Sequence, residues 1–188
     1  MTTSFVPVPP VDLAEAAGND AVETMIEFIR AASGGRLLTM HLQMAQAPLV
    51  LEQYTALRRA IGAHSSLDPL TRSAIAVAAS AAGRGDYSLA VIAMLARRVG
   101  WTPDQVTAMA NGGTSGDPKI DALLDVVSEA AAGDGTVNDD TWHAATGRGW
   151  TTAELVEAFG YLALVSYCDR FVRYARTDVD DAIAASAG

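Results

Sequence analysis

Cysteine is almost absent from this sequence: Cys168 stands alone among 188 residues. A single thiol excludes an intramolecular disulfide, and it excludes any Cys-x-x-Cys redox or zinc motif built within one chain. Positive charge is also short, with 13 basic against 22 acidic side chains and a net charge of −9. No basic stripe with interleaved aromatics offsets that balance, so nucleic acid is not an expected partner. The histidines, His41, His64 and His143, share no metal-ligand spacing with one another or with Cys168, so neither a metal nor another cofactor is expected. No apolar run reaches the roughly 18 residues of a membrane span. The first residues, MTTSFVPVPPVDLAEAAG, lack the basic and then apolar regions of a secretory signal, and a cytoplasmic protein without a membrane partner is expected.

Aromatics make up only 6% of the chain, whereas half of it is apolar and much of that half is alanine. Small apolar residues of high helix propensity favour closely packed helices over a sheet. The length suits one well-buried domain. An all-α, single-domain helical bundle is therefore predicted over residues 19–188, preceded by an extended arm over 1–18 whose prolines at 7, 9 and 10 oppose regular structure and which is placed to pack on a neighbouring subunit.

Helix starts are unusually explicit. Asn19-Asp20 caps a helix ending at Gly34-Gly35, a helix carries His41 between Arg36 and Ala45, and Pro48 opens another that reaches Ile61. Asp68-Pro69, Thr102-Pro103 and Asp117-Pro118 each pair a capping residue with proline at the first helical position. Thr151-x-x-Glu154 forms a capping box for a long helix from Thr152 to about Ala175. Its Leu155, Val156, Phe159, Leu162, Ala163 and Val165 cover most of the circumference, which predicts a largely buried, central helix. His64 is expected in a loop and His143 in a short helix, both at the surface, and the acidic groups Asp139-Asp140 and Asp178, Asp180 and Asp181 are expected to face solvent.

The stretch from Thr71 to Trp101, TRSAIAVAASAAGRGDYSLAVIAMLARRVGW, carries the functional question. One helix runs to Gly83 and a second begins near Asp86, with Gly85, Ser88 and Ile92 at i, i+3 and i+7 on one stripe. This layout resembles the carboxymuconolactone decarboxylase and alkyl hydroperoxidase D-like superfamily, and the resemblance extends over roughly residues 36–181. It includes Asp169-Arg170 where that superfamily commonly has Asn-Arg. In the superfamily the stripe usually bears Cys-x-x-Cys-x-x-x-His and the preceding helix a glutamate. Those positions fall here on Gly85, Ser88, Ile92 and Ser73, so none of the four redox residues is retained. The resemblance implies the helical fold and a homo-oligomer, commonly a trimer or hexamer.

Thiol peroxidase chemistry needs a thiolate, a base and a resolving thiol, and the stripe supplies none. Ser73, Gly85, Ser88 and Ile92 are read instead as the substrate-binding wall of a pocket. Asp86, Tyr87 and His41 are the candidate catalytic acid–base groups. Each has a plainer reading: Asp86 as a cap at the positive helix end, and His41, among Leu37, Leu38, Met44 and Ala45, as a structural imidazole. Cys168 is read as a small hydrophobe, and Arg170 as half of an ion pair or, through its guanidinium fork, an anion ligand. The expected function is a cofactor-independent enzyme acting on a small organic molecule: a decarboxylase, another lyase, an isomerase or a cyclase. The alternative is a non-catalytic binding or scaffold protein, and peroxide reduction through Cys168 ranks last.

Overall fold

The computed structural model describes residues 7–16, 18–180 and 183. Among them are ten helices and no strand: α1 (Leu13–Ala16), α2 (Asp20–Ala32), α3 (Thr39–Met44), α4 (Pro48–His64), α5 (Pro69–Ala82), α6 (Asp86–Val99), α7 (Pro103–Ala110), α8 (Pro118–Ala132), α9 (Asp139–Gly147) and α10 (Thr152–Ala175). The fold is all-α, as the composition requires. The local start signals act as read. Asn19, Asp68 and Asp117 accept hydrogen bonds from the first backbone amides of α2, α5 and α8, and Thr151 and Glu154 close the capping box of α10.

Two helices share the centre. The alanine-rich α5 lets neighbours approach closely and packs on α6, α7, α8 and α10, while α10 also reaches α3 and α4. Apolar side chains divide into one cluster around α5, α8 and α10, and a second among α2, α3, α4 and the distal part of α10. The long helix departs from its predicted burial at one stripe, since Val156 and Phe159 are 61% and 62% exposed. A fully apolar circumference therefore does not mean full burial within one chain.

The arm differs from the extended expectation in its helical turn at Leu13–Ala16. Residues 7–11 lie on their own chain: Gln43 Nε2 donates to Val8 O at 2.7 Å, and Val8 N donates to Ala175 O at 3.1 Å. His64 forms the end of α4 rather than a loop, and both His64 and His143 are exposed. Asp180 does not face solvent as an idle charge. Its Oδ1 accepts from Thr39 N and Oγ1, and its Oδ2 from Tyr87 Oη at 2.7 Å, so it ties the segment after α10 to α3 and α6. Asp181 lies outside the described residues.

Candidate active site

Helices α2, α3, α4, α5, α6 and α10 enclose a cavity of about 990 Å³, at the upper end of the range usual for small-molecule sites. Its wall is mostly apolar, with Met40, Val91, Ile92 and Leu164 among the contributors. Five of the thirteen basic side chains also line it: Arg36, Arg58, Arg59, Arg72 and Arg98. No lining residue is Asp or Glu. Among the described residues none of the five forms an ion pair; the single such pair, Arg170 with Asp134 at 3.6 Å, is on the surface. Arg170 thus forms an ion pair, as one of its two readings has it, and does not line the cavity. Arg59 stacks over Phe28 at 4.7 Å and Arg36 donates to the Met94 thioether, contacts that leave both positive charges unneutralised.

The sequence-predicted residues separate into two groups. His41, Tyr87, Ser73, Ser88 and Ile92 line the cavity, whereas Gly85 and Asp86 do not. Asp86 is the exposed first residue of α6. Ser73 donates to Leu70 O at 2.8 Å and accepts from Trp101 Nε1 at 3.1 Å, so its hydroxyl is engaged in holding α5 against the connection between α6 and α7. Tyr87 donates its phenol proton to Asp180, and burial together with that bond holds it protonated well above the ordinary phenol range.

His41 is buried and held at both nitrogens. Leu38 N donates to Nδ1 at 3.1 Å, and Nε2 lies 3.1 Å from Tyr54 Oη. An amide can only donate, so Nδ1 is the acceptor and the neutral ring carries its proton on Nε2, which donates to Tyr54. Desolvation first, and then the Arg58 charge, lower its pKa to about 4. The imidazole is therefore neutral near pH 7. Tyr54, whose own pKa burial raises to about 12, keeps a hydroxyl proton free for a ligand in the cavity it lines. Local sequence gives no sign of Tyr54, because its partner sits on another helix, thirteen residues away.

A side chain of α10 fills the space beside Gly85. Helix α5 ends in a Schellman turn: Gly85 N donates to Ser80 O at 2.8 Å and Arg84 N to Ala81 O at 3.1 Å, with Arg84 rather than a glycine in the left-handed region at φ 55°. Gly85 itself has φ −91°, open to any residue. Its lack of a side chain serves a close approach instead. A Cβ there would overlap Oδ1, Cγ and Oδ2 of Asp169. The Asp169 carboxyl thus occupies the space where the resemblance places the first cysteine of the motif.

Asp169 is 2% exposed and its Oδ1 has no hydrogen-bond partner; the Ser88 hydroxyl, 4% exposed, has none either. Desolvation raises the Asp169 pKa, partly countered by the neighbouring Ser88 hydroxyl and the Arg173 charge, while Asp86 adds to the rise. Ser88 is near enough to favour the carboxylate, yet no hydrogen bond of good geometry closes between the two side chains. Two orphaned polar groups in one buried corner each carry a desolvation cost of roughly 1–3 kcal/mol. Cys168, next in chain, is buried in the cavity wall, and burial with the adjacent Asp169 pushes its thiol up to about 12. A protonated thiol is a poor nucleophile. Among the described residues no three His, Cys, Asp or Glu side chains gather as a metal site, and no helix there is long and apolar enough to cross a membrane.

This arrangement, a helical domain with a large pocket between its α5–α6 hairpin and its longest helix, is the alkyl hydroperoxidase D-like fold. Residues 48–129 match the carboxymuconolactone decarboxylase family, and the chain has no Cys-x-x-Cys-x-x-x-His motif. Similar solved structures include the debrominase Bmp8 in complex with 2,3,4-tribromopyrrole, at 17% identity and TM-score 0.83 over 97% of this chain and 96% of that one. An uncharacterized peroxidase-related protein from Silicibacter sp. TM1040 matches at 15% identity and TM-score 0.78, covering 97% of each chain. A peroxidase-related protein from Ralstonia eutropha JMP134, described as an alkylhydroperoxidase AhpD core, matches at 18% identity and TM-score 0.80, over 98% of this chain and 99% of that one. No curated protein sequence gives a significant match.

Proposed function

We propose that this chain is a cofactor-independent enzyme of the lyase or isomerase type, acting by proton transfer on a small apolar organic anion held in the cavity. The observation that carries the reading is the lining itself: five arginines without an ion pair among the described residues and no carboxylate, in a protein of net charge −9. Clustering positive charge against that overall balance favours an anionic ligand, since guanidinium groups bind carboxylates and similar anions through charge-assisted hydrogen bonds. The apolar wall takes the remainder of the molecule. In the fold neighbour Bmp8 the bound molecule is a halogenated ring, a ligand of the shape this reading favours here.

The uncharged polar group facing the ligand is the Tyr54 hydroxyl, positioned by neutral His41. Tyr87 serves as a fixed wall through Asp180. The redox branch of the superfamily is set aside because Cys168 is the sole thiol and is held protonated.

The test is to incubate the protein in deuterated buffer with a panel of small aryl and enolisable ring carboxylates and to follow each by proton NMR. Deuterium uptake or loss of carbon dioxide that disappears in the Tyr54→Phe variant supports catalysis. Ligands that bind but remain unchanged favour the non-catalytic binding protein. Arg58→Gln is expected to weaken binding of the fluorescent apolar anion anilinonaphthalene sulfonate about tenfold, the scale of one charged hydrogen bond. An uncharged aryl probe should bind the variant and the parent alike; equal losses for both would discard the anion preference.

A cytoplasmic homo-oligomer belongs to the same proposal. Val156 and Phe159 lie three residues apart on one exposed face of α10, a self-complementary apolar stripe suited to a second copy of the chain. Native mass measurement should give a trimer or hexamer, and Val156→Asp with Phe159→Asp should give monomers. A parent that is already monomeric removes this part.

A further inference from the structure

We propose that Asp180 is a positioning residue of the cavity, capping α3 from the far end of the chain and so setting the His41 ring that orients the Tyr54 hydroxyl. The inference rests on the proton-transfer reading above only for the use made of that hydroxyl. Helix α3 has six residues, and its N-cap is Leu38, whose side chain has no atom that accepts a hydrogen bond. The first amides of a helix find no partner within it, so acceptors must come from elsewhere. Two arrive here. His41 Nδ1 accepts from Leu38 N at 3.1 Å, and Asp180 Oδ1, 141 residues away, accepts from Thr39 N at 2.9 Å and from Thr39 Oγ1 at 2.6 Å. The imidazole is thus part of the same first turn that the carboxylate closes.

Asp180 is itself held in place. Its Oδ2 accepts from Tyr87 Oη at 2.7 Å, its backbone oxygen accepts from Ile183 N at 2.8 Å, and Ile183 is buried. Thr177, three residues earlier, donates its hydroxyl to Gln43 Oε1 near the end of α3. One segment after α10 therefore grips α3 at both ends. Beyond the cap the chain of contacts is short: His41 Nε2 donates to Tyr54 Oη at 3.1 Å, and both rings line the cavity. Release of the first turn would free the ring from Leu38 N and from Tyr54, and the phenol would lose the bond that aims it. The titratable groups that bear on the ring are Tyr54 and Arg58, both on α4, and Asp180. Burial and Arg58 lower the His41 pKa to about 4, whereas the Asp180 charge raises it. Loss of that charge alone should therefore lower the midpoint further, while loss of the cap admits water to the ring and raises it.

The experiment follows the two ring nitrogens of His41 by NMR in the full chain, with no ligand present. In Asp180→Ala the midpoint should rise from about 4 towards the ordinary 6.5, and the neutral ring should no longer hold a single tautomer. Asp180→Asn keeps an oxygen able to cap, and its midpoint should not rise. The rescue is Thr39→Pro added to Asp180→Ala, because proline at the first helical position has no N–H to satisfy and suits the extended Leu38 before it, at ψ 156°. The double variant should restore the single tautomer and a midpoint at or below about 4. A midpoint in Asp180→Ala that stays or falls, as in Asp180→Asn, would reduce Asp180 to a charge and overturn the proposal; so would a rise that proline does not reverse. If Asp180→Ala does not fold, the double variant decides alone: folded with the parent tautomer it supports the cap, and unfolded it refutes it. A parent without exchange activity removes the catalytic use of the Tyr54 hydroxyl, and the ring signals still decide the cap.

Discussion

Gly85→Ala is expected to destabilise the protein by about 1–3 kcal/mol, the range for overpacking a filled interior, and Asp169→Ala is expected to remove most of that penalty. The glycine torsions allow alanine, so the loss arises only from overlap with the Asp169 carboxyl. In the Asp169→Ala background the space is empty and the new methyl partly fills it. The two changes are therefore non-additive, with a coupling of the size measured for residues in direct contact. For a chain of this length each kcal/mol moves the midpoint by roughly 2–4 °C, so thermal unfolding of the two single variants and the double variant resolves the cycle. An unaltered midpoint in Gly85→Ala, or an equal penalty in both backgrounds, would show that the carboxyl does not hold that space.

Stability should fall as pH is lowered from about 6.5 towards 4, and His41 should supply much of the fall. Its folded pKa is about 4 against an ordinary 6.5. Between those values the unfolded chain binds a proton that the folded chain refuses, so acidification favours unfolding; above 6.5 and below 4 the contribution is flat. The size is on the order of 3 kcal/mol. The physical origin is burial first, then the Arg58 charge, reinforced by Leu38 N–H, which blocks protonation at Nδ1. Asp169 acts in the opposite sense: its raised pKa favours the folded state at low pH and is a cost once the group must ionise. The His41 share is isolated by urea unfolding of the parent and His41→Leu between pH 7 and pH 4. The variant should lose the slope over that window, whereas Tyr54→Phe, which leaves the imidazole buried, should keep it. An identical slope in the parent and His41→Leu would reject the assignment.

The elements were legible because their signals are local. Asp68-Pro69, Thr102-Pro103, Asp117-Pro118 and the Thr151–Glu154 box each act within one turn of the helix they start. Ser88 and Ile92, one turn apart on α6, both line the cavity because helical spacing fixes which residues share a face, while Gly85 of the same stripe does not. What escaped depends on pairs distant in the chain. Nothing near Gly85 announces Asp169, and nothing near His41 announces Tyr54. Asp180 reads as part of a solvated acidic run, yet it bonds to Thr39 and Tyr87, 141 and 93 residues away. The arginines are scattered over α4, α5, α6 and the α2–α3 connection, and only packing brings them to one cavity. Val156 and Phe159 show the complementary error: apolar periodicity records that a face is to be covered, and is silent on whether the cover comes from the same chain.

The carboxyl lodged over Gly85 also fixes the order in which substitutions can accumulate at this corner. A cysteine introduced at position 85 alone would meet the same overlap as alanine while Asp169 remains. Position 169 has to release the space before position 85 can grow. A single residue on the last helix thus decides what the turn before α6 can carry.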